Sequence, residues 1–248
     1  MWKKTIVIVL DIVIGVYLVL ALTAFNKPDE LSGTCSEVRI SIEQTDKEGF
    51  LTQRDVQALL KQHHLYPLSK PMSSISTRTI EEQLESNALI EDAECYKTQS
   101  GHVIISVRQR VPVVRVMAQN GDAYYVDSRG EVMPRSPYTC DVVIATGAVS
   151  RPYAQKVLTP TVSVLLADKF WKNQVEQLNV LADGSVELVP RVGDHIIYLG
   201  QPVRLEKKLE RLRKFYRYGL AQTGWNKYSR ISVEFDNQII CKKTTKKH

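Results

Sequence analysis

Residues 88–116 read ALIEDAECYKTQSGHVIISVRQRVPVVRV, and this stretch decides how the first folded part of the chain is built. Its two apolar runs, Ala88–Tyr96 and Val103–Val116, are rich in strand-forming residues, and a polar turn around Ser100–Gly101 joins them. They predict a β-hairpin. Pro112 has no N–H to donate, so the second strand is expected to lie at a sheet edge, to be bulged, or to leave its sheet at that point.

The residues before this hairpin predict one strand and two helices. Apolar and polar residues alternate in residues 35–44 (CSEVRISIEQ), which is typical of a half-buried strand. A capping-box-like start at Thr52 predicts a short amphipathic helix that ends near His63. A second helix, capped by Ser76 or Thr77, is expected to lead into the hairpin.

The first apolar run, Thr5–Phe25, determines on which side of a membrane the rest of the chain lies. It holds roughly twenty residues with one charge, Asp11, and this length matches the ~30 Å hydrocarbon core of a bilayer. It exceeds the ~7–15 apolar residues of a signal peptide, so an uncleaved anchor is predicted. Lys3 and Lys4 precede it and favour a cytoplasmic N-terminus and an exported remainder. Asp11 is expected either to contact a partner transmembrane helix or to reach water near the cytoplasmic face.

The region after Val116 is predicted to be rich in β-strands and to carry two helices. Strands are expected within residues 124–127, 140–147, 175–181, 185–190 and 195–199, the last three as a meander. Leu158–Phe170 predicts a helix that Pro160 confines to its later part. Leu205–Gln222 predicts a longer helix with an apolar stripe, and Gly224 is expected to end it.

Two short strands are predicted near the C-terminus. Ser229–Phe235 and Gln238–Cys241 flank Asp236–Asn237, a two-residue hairpin signal. Because no later strand follows Gln238–Cys241, its outer backbone groups are expected to be available to another chain. The alternative is an ordinary terminal strand that the following lysines protect from aggregation.

The charge of the chain argues against a nucleic-acid partner. The sequence has 33 basic and 27 acidic residues. Six of the lysines lie in the terminal segments 1–4 and 242–248, and Asp11 lies in the apolar run, which leaves 27 basic and 26 acidic residues for the folded part. This near-neutral balance provides no strong field for phosphate groups.

The sequence carries no recognisable pattern of an enzyme. It lacks G-x-S-x-G, H-E-x-x-H and P-loop patterns. The pair His63–His64 is interpreted as a solvated helix end, and His195 as a turn residue. The cysteines show no zinc-type spacing, and one disulfide or none remain equal alternatives for Cys35, Cys95, Cys140 and Cys241. We therefore predict no catalytic residue, no metal site and no cofactor.

The order strand, helix, helix, strand, strand between Cys35 and Val111 resembles the POTRA module, a small α+β domain of exported or membrane-tethered proteins that handle other polypeptides. Residues 80–116 are similar to the segment of FtsQ/DivIB cell-division proteins in which a helix feeds a strand and an R-x-P strand follows. Three later patterns resemble the Bacteroidetes version of that family: LVPRVGDHIIYLG (188–200), LEKKLERLRKFY (205–216) and ISVEFDNQIIC (231–241).

This resemblance implies an α+β fold. It consists of a single N-terminal transmembrane helix, a POTRA domain with the order β-α-α-β-β, and a mostly antiparallel β-rich domain with a long helix near the C-terminus. The expected segments are a cytoplasmic tail (1–4), a transmembrane helix (5–25), a linker (26–34), the POTRA domain (35–112), the β domain (113–241) and a basic disordered tail (242–248).

The resemblance also implies a function. Members of the family act as non-catalytic divisome scaffolds in the inner membrane at the septum, where they recruit FtsB/DivIC-type and FtsL-type partners and link the cytoplasmic ring to septal peptidoglycan synthesis. The family binds an extended FtsB/DivIC segment by strand addition. The matching residues here are Phe235 as an aromatic anchor, then Asp236, Asn237, Gln238, Ile239, Ile240 and Cys241. The alternative function is a POTRA-containing periplasmic chaperone or secretion accessory.

Overall fold

The computed structural model describes residues 2, 12–21, 33–43, 50–135 and 140–244. The chain divides into two compact units, the first comprising residues 1–41, 53–84 and 93–106, and the second residues 42–52, 85–92 and 107–248. The fold is α+β, with a small three-stranded sheet and a nine-stranded sheet. This agrees with the predicted fold class as far as the two sheets are concerned.

The predicted membrane anchor, Thr5–Phe25, lies partly outside the described residues. Residues 12–21 are helical, whereas Asp11 and the rest of the run lie outside the described part. Among the described residues, no helix combines the length and the apolar character that crossing a membrane requires.

The first sheet and its two helices follow the predicted element order. Its elements are β1 (Glu37–Glu43), α1 (Gln53–Gln62), α2 (Thr77–Glu85), β2 (Ile90–Lys97) and β3 (His102–Gln109), and the strands are arranged β1-β3-β2. A short 3₁₀ turn, Met72–Ser74, precedes α2. The Ser76 hydroxyl accepts a hydrogen bond from the Thr79 N–H at 3.3 Å and so caps α2 as expected. Buried apolar side chains of both helices and of β3 form the core of the first unit: Val56, Leu60, Ile80, Leu84, Val103 and Ile105.

The chain leaves the first sheet just before Pro112. β3 ends at Gln109, and β4 (Pro112–Ala118) belongs to the nine-stranded sheet, so the run predicted as one strand over Val103–Val116 is two strands in two sheets. Arg110 lies between them, and its guanidinium donates to the Asp127 carboxylate at 2.7 Å and to the Ile90 carbonyl at 3.1 Å. Leaving the sheet was one of the three outcomes expected from the missing N–H of Pro112.

The second sheet is mixed rather than a simple antiparallel meander. After β4 its strands are β5 (Ala123–Asp127), β6 (Val132–Met133), β7 (Val143–Gly147), β8 (Val175–Val180), β9 (Val186–Pro190), β10 (Ile196–Gly200), β11 (Tyr228–Ser232) and β12 (Ile240–Lys243). Their order is β12-β11-β10-β9-β8-β7-β4-β5-β6. The neighbours β4 and β7, β7 and β8, and β10 and β11 run parallel, and the other five pairs are antiparallel. The predicted meander of three strands is β8, β9 and β10.

Helices pack on one face of this sheet. They are α3 (Arg151–Tyr153), α4 (Thr159–Ala167), α5 (Lys169–Gln174), α6 (Leu205–Phe215) and α7 (Ala221–Thr223). Buried residues of these helices join buried strand residues in one apolar core, which includes Leu158, Leu165, Trp171, Leu178, Leu188, Ile197, Leu209, Leu212 and Ile231. Parallel strands need such crossover connections, because the chain must return to the same end of the sheet.

The first of these helices begins earlier than predicted. The prediction confined the helix to the part of residues 158–170 that follows Pro160. Helical structure starts at Arg151, and a π-helical turn, Ala154–Leu158, precedes α4. The Thr159 N–H donates to the Ala154 carbonyl five residues before it, and the Thr159 hydroxyl donates to the same oxygen at 2.9 Å. This wider turn allows Pro160, which has no N–H, to enter the first turn of α4 without breaking the helix. A second correction is that Phe170 lies on α5, not on the same helix.

The predicted long helix is present and contains a π-helical turn, Tyr216–Leu220, between α6 and α7. Its apolar stripe is buried as predicted, except that Phe215 is only partly buried. Gly224 follows α7 with a φ of 90°, a conformation that favours glycine, and ends the helix.

Candidate functional site at the C-terminal sheet edge

β12 forms one edge of the nine-stranded sheet. It pairs antiparallel with β11, with Ile240 opposite Ser232 and Cys241 opposite Ile231. Within the described part of the chain, no strand pairs with its other side. The C-terminal strand therefore presents outward backbone donors and acceptors to solvent, as the sequence predicted.

The connection between the last two strands is longer than predicted. β11 ends at Ser232 and β12 begins at Ile240, so residues 233–239 form a loop, and the expected two-residue hairpin at Asp236–Asn237 is wrong. Gln238 and Ile239, which we assigned to the strand, lie in this loop. Asn237 has a φ of 63°, a left-handed conformation that asparagine tolerates.

Arginines from outside the loop bind residues within it. Arg204 donates to the Asp236 carboxylate at 2.5 Å, and an Arg211 nitrogen lies 3.9 Å from its other oxygen. Arg211 also donates to the Val233 carbonyl at 2.7 Å. Both ends of the segment 233–236 are thereby bound to residues that precede or belong to α6.

The residues that the sequence singled out differ in their exposure. Phe235 is 49% exposed and Ile240 is 50% exposed, which is high for large apolar side chains. Ile239 and Cys241 are partly buried and pack against the core. Ile239 and Ile240 thus lie on different sides of the chain, as the alternation predicted.

The sheet face opposite the helices carries an ordered polar network that our sequence reasoning missed. The Asn179 amide donates to the Glu187 carboxylate at 3.0 Å, and the Arg230 guanidinium donates to the other oxygen of that carboxylate at 2.5 Å. Arg230 also lies over the Tyr198 ring, 4.5 Å from its centroid. Lys242 of β12 is the cross-strand neighbour of Arg230, so Glu187 offsets a like-charge pair at the edge. The alternation of polar residues along β8 and β9 was the available signal.

His195, interpreted from the sequence as a satisfied turn residue, directly precedes β10 and is buried. It is 1% exposed, and its Nε2 lies 2.7 Å from the Tyr216 hydroxyl. Its ring also packs edge-on to that of Tyr216 and lies near that of Trp225. Gly193 makes room for it, since a side chain there would come within 2.7 Å of the imidazole.

Burial of His195 predicts a pH-dependent stability. Desolvation lowers the pKa of its imidazole below the ordinary value of 6.5, although Trp225 and Asp194 act in the opposite direction. The unfolded chain therefore binds this proton more readily than the folded chain. The contribution to stability is complete above about pH 6.5 and decreases below it, by at most about 1.4 kcal/mol per pH unit.

We expect His195→Gln to weaken the decline in melting temperature between about pH 7 and about pH 5, measured by circular dichroism. His63→Gln is the matched control, because His63 is exposed at the end of α1 and its loss should leave the pH profile unchanged. Identical profiles for the wild type and His195→Gln would refute this role of His195.

The cysteines and acidic residues show no further site. All four cysteines are free, and burial raises the pKa of Cys95 to about 12, which keeps it a thiol. Among the described residues, no group of three or more His, Cys, Asp or Glu side chains is placed to hold a metal ion.

Comparison with known proteins agrees with this architecture. Residues 111–242, more than half of the 248 residues, match the family model described as FtsQ/DivIB, C-terminal related. The chain belongs to this family. Residues 33–108 of this FtsQ/DivIB-related chain match a POTRA-like domain. The two matches meet where the chain passes from β3 to β4.

A curated relative supports the same assignment. Over 184 residues, the chain is 27% identical to the cell division protein FtsQ of Salinibacter ruber (strain DSM 13855 / M31). This alignment covers 68% of the chain and 70% of that protein. The resemblance inferred from the sequence patterns is thereby confirmed at the level of the family.

Proposed function

We propose that this FtsQ/DivIB-related chain is a non-catalytic scaffold of bacterial cell division. The family assignment supports the division role, and the free outer side of β12 supports the mode of action. An extended segment of an FtsB/DivIC-type partner adds to β12 as a further strand, with Phe235 as an exposed aromatic anchor beside it. Through this partner and an FtsL-type protein, the scaffold links the cytoplasmic ring to septal peptidoglycan synthesis.

The membrane arrangement belongs to the same proposal. Thr5–Phe25 anchors the chain in the inner membrane as a single-pass segment, with the N-terminus in the cytoplasm and both sheets outside. The length and apolar character of this run support the anchor. Asp11 contacts a partner transmembrane helix, since an isolated carboxylate inside a bilayer is costly.

A fluorescent fusion in dividing cells tests the proposed role. We expect bands at midcell. These bands should disappear when β12 is removed, because binding of the partner retains the protein there. A uniform envelope signal throughout the division cycle would contradict the division role and favour a periplasmic chaperone. Protease added to spheroplasts should digest both sheets, and full protection without lysis would contradict the proposed topology.

A further inference from the structure

One end of the second unit is unusually rich in positive charge. The sequence from Arg211 to Val233 contains six basic residues and no acidic residue: Arg211, Arg213, Lys214, Arg217, Lys227 and Arg230. After Asp236 the sequence again contains no acidic residue. The first segment comprises the end of the long helix and β11. The second segment comprises β12 and the residues that follow it.

The fold brings these two segments together. Lys243 of β12 is the cross-strand neighbour of Tyr228 on β11. The Thr244 N–H donates to the Lys227 carbonyl at 3.0 Å, and its hydroxyl donates to the Asn226 carbonyl at 3.0 Å. The ring of Phe215, at the end of α6, lies 6.2 Å from that of Tyr228. The end of α6, the start of β11 and the end of β12 therefore share one surface.

Nearby acids neutralise some of these cations but not all of them. Ion pairs join Lys214 to Glu210, Arg211 to Asp236, Arg213 to Asp168 and Arg230 to Glu187. In the described ranges, no ion pair is formed by four exposed cations: Arg217, Lys227, Lys242 and Lys243. Arg191 and Asp194 precede β10 at the same end of the sheet, and their charges offset each other.

Aromatic side chains lie among these free cations. Tyr218 is 63% exposed and follows Arg217 on the helix. The Lys227 ammonium lies over the Tyr228 ring, 5.9 Å from its centroid. Lys242 pairs with Arg230 and so lies on the opposite face of the sheet. We call the other five residues the basic–aromatic patch: Arg217, Tyr218, Lys227, Tyr228 and Lys243.

We propose that the basic–aromatic patch binds the surface of an anionic lipid membrane. Lysines and arginines attract anionic headgroups. Tyr218 is exposed and Tyr228 is partly buried, and tyrosine favours the membrane interface because its ring is apolar while its hydroxyl remains hydrated. Long basic side chains also reach headgroups while their stems cover apolar surface. The patch uses side chains, whereas strand docking uses the outward backbone of β12, so different variants test the two proposals although Lys243 belongs to β12.

Hydrogen exchange of the full chain in nanodiscs tests the proposal. Nanodiscs of phosphatidylcholine alone are compared with nanodiscs that also contain phosphatidylglycerol. We expect slower exchange over residues 214–230 only with phosphatidylglycerol, and we expect high salt to reverse it. Each substitution of a patch cation by glutamine should lower the ratio of lipid-bound to lipid-free protein about fivefold. A variant with Arg217, Lys227 and Lys243 all changed should exchange as it does on phosphatidylcholine alone.

A matched variant controls for total charge. Lys156, Lys172 and Lys207 are also exposed, lie on the helical layer outside the patch, and should be replaceable by glutamine without effect on lipid contact. Tyr218→Ser should reduce the protection at unchanged charge. Equal exchange on both lipid compositions, or equal effects of the two glutamine variants, would overturn the proposal. Protection by added polyglutamate but not by phosphatidylglycerol would also overturn it, in favour of an acidic polypeptide partner.

Discussion

A chain that ends at Asn237 is expected to lose binding to an FtsB/DivIC-type partner while the other eight strands of the large sheet stay folded. The truncation removes β12, whose four residues offer about four outward backbone hydrogen bonds to an added strand. At about 1 kcal/mol each, their loss weakens binding by about 4 kcal/mol, roughly a thousandfold. Ile239 and Cys241 are only partly buried, so the core loses little apolar contact. Titration calorimetry with the purified partner segment measures the affinity.

Proline substitutions separate the backbone from the side chains in this test. Successive N–H groups in a strand point to opposite edges, so of Ile240→Pro and Cys241→Pro, one removes a donor to β11 and the other removes an outward donor. The outward one should weaken binding by at least about fivefold and leave the melting temperature unchanged. Ile240→Ser is the matched control, because it changes the exposed side chain but keeps the backbone ladder. Undiminished binding by the truncated chain would show that the partner docks elsewhere.

Phe235 tests the side-chain part of the same site. An exposed aromatic anchor that fills a pocket of the partner typically contributes about 2 kcal/mol, so Phe235→Ala should weaken binding about thirtyfold. Its effect on folding should be small, because the ring is half exposed in the free chain.

Local patterns were sufficient to predict the first sheet. Its strands and helices follow each other closely, and each carries its own periodicity, cap or turn, as Ser76 shows at the start of α2. The long helix was predictable for the same reason, since its apolar stripe is continuous in sequence and buried in the structure. Pro112 marked the place where the chain changes sheets, but only as one of three alternatives.

Contacts between residues distant in sequence explain what could not be predicted. The parallel pairing of β7 with β8 depends on a crossover through α3, α4 and α5, and β4 pairs with β7 although β5 and β6 lie between them in sequence; strand patterns alone reveal neither pairing. At the candidate site, Asp236–Asn237 carries the composition of a hairpin turn, yet Arg204 binds Asp236 from 32 residues away and the loop stays open. That β12 lies beside β11 was predictable because the two strand patterns are adjacent in sequence, whereas the start of β12 at Ile240 was not.

Trp171→Ala is expected to cause the largest loss of stability of any single substitution considered for the second unit. The indole is 1% exposed, and its ring packs against Phe170 at 4.8 Å and Tyr216 at 5.9 Å between centroids. Removing a fully buried tryptophan costs about 3–5 kcal/mol, because apolar contact is lost and a cavity remains. For a chain of this size, that corresponds to a decrease of about 10 °C in melting temperature.

Phe170→Ala is the matched control for this loss. Phe170 is the neighbouring aromatic residue on α5, contacts the same indole and is 39% exposed, so its removal leaves a site that water can fill. We expect its effect on the melting temperature to be less than half of that of Trp171→Ala, measured on both variants by differential scanning calorimetry. Equal decreases would contradict this expectation, because they would mean that the aromatic contact shared by both residues, and not the deeper burial of the indole, determines the loss of stability.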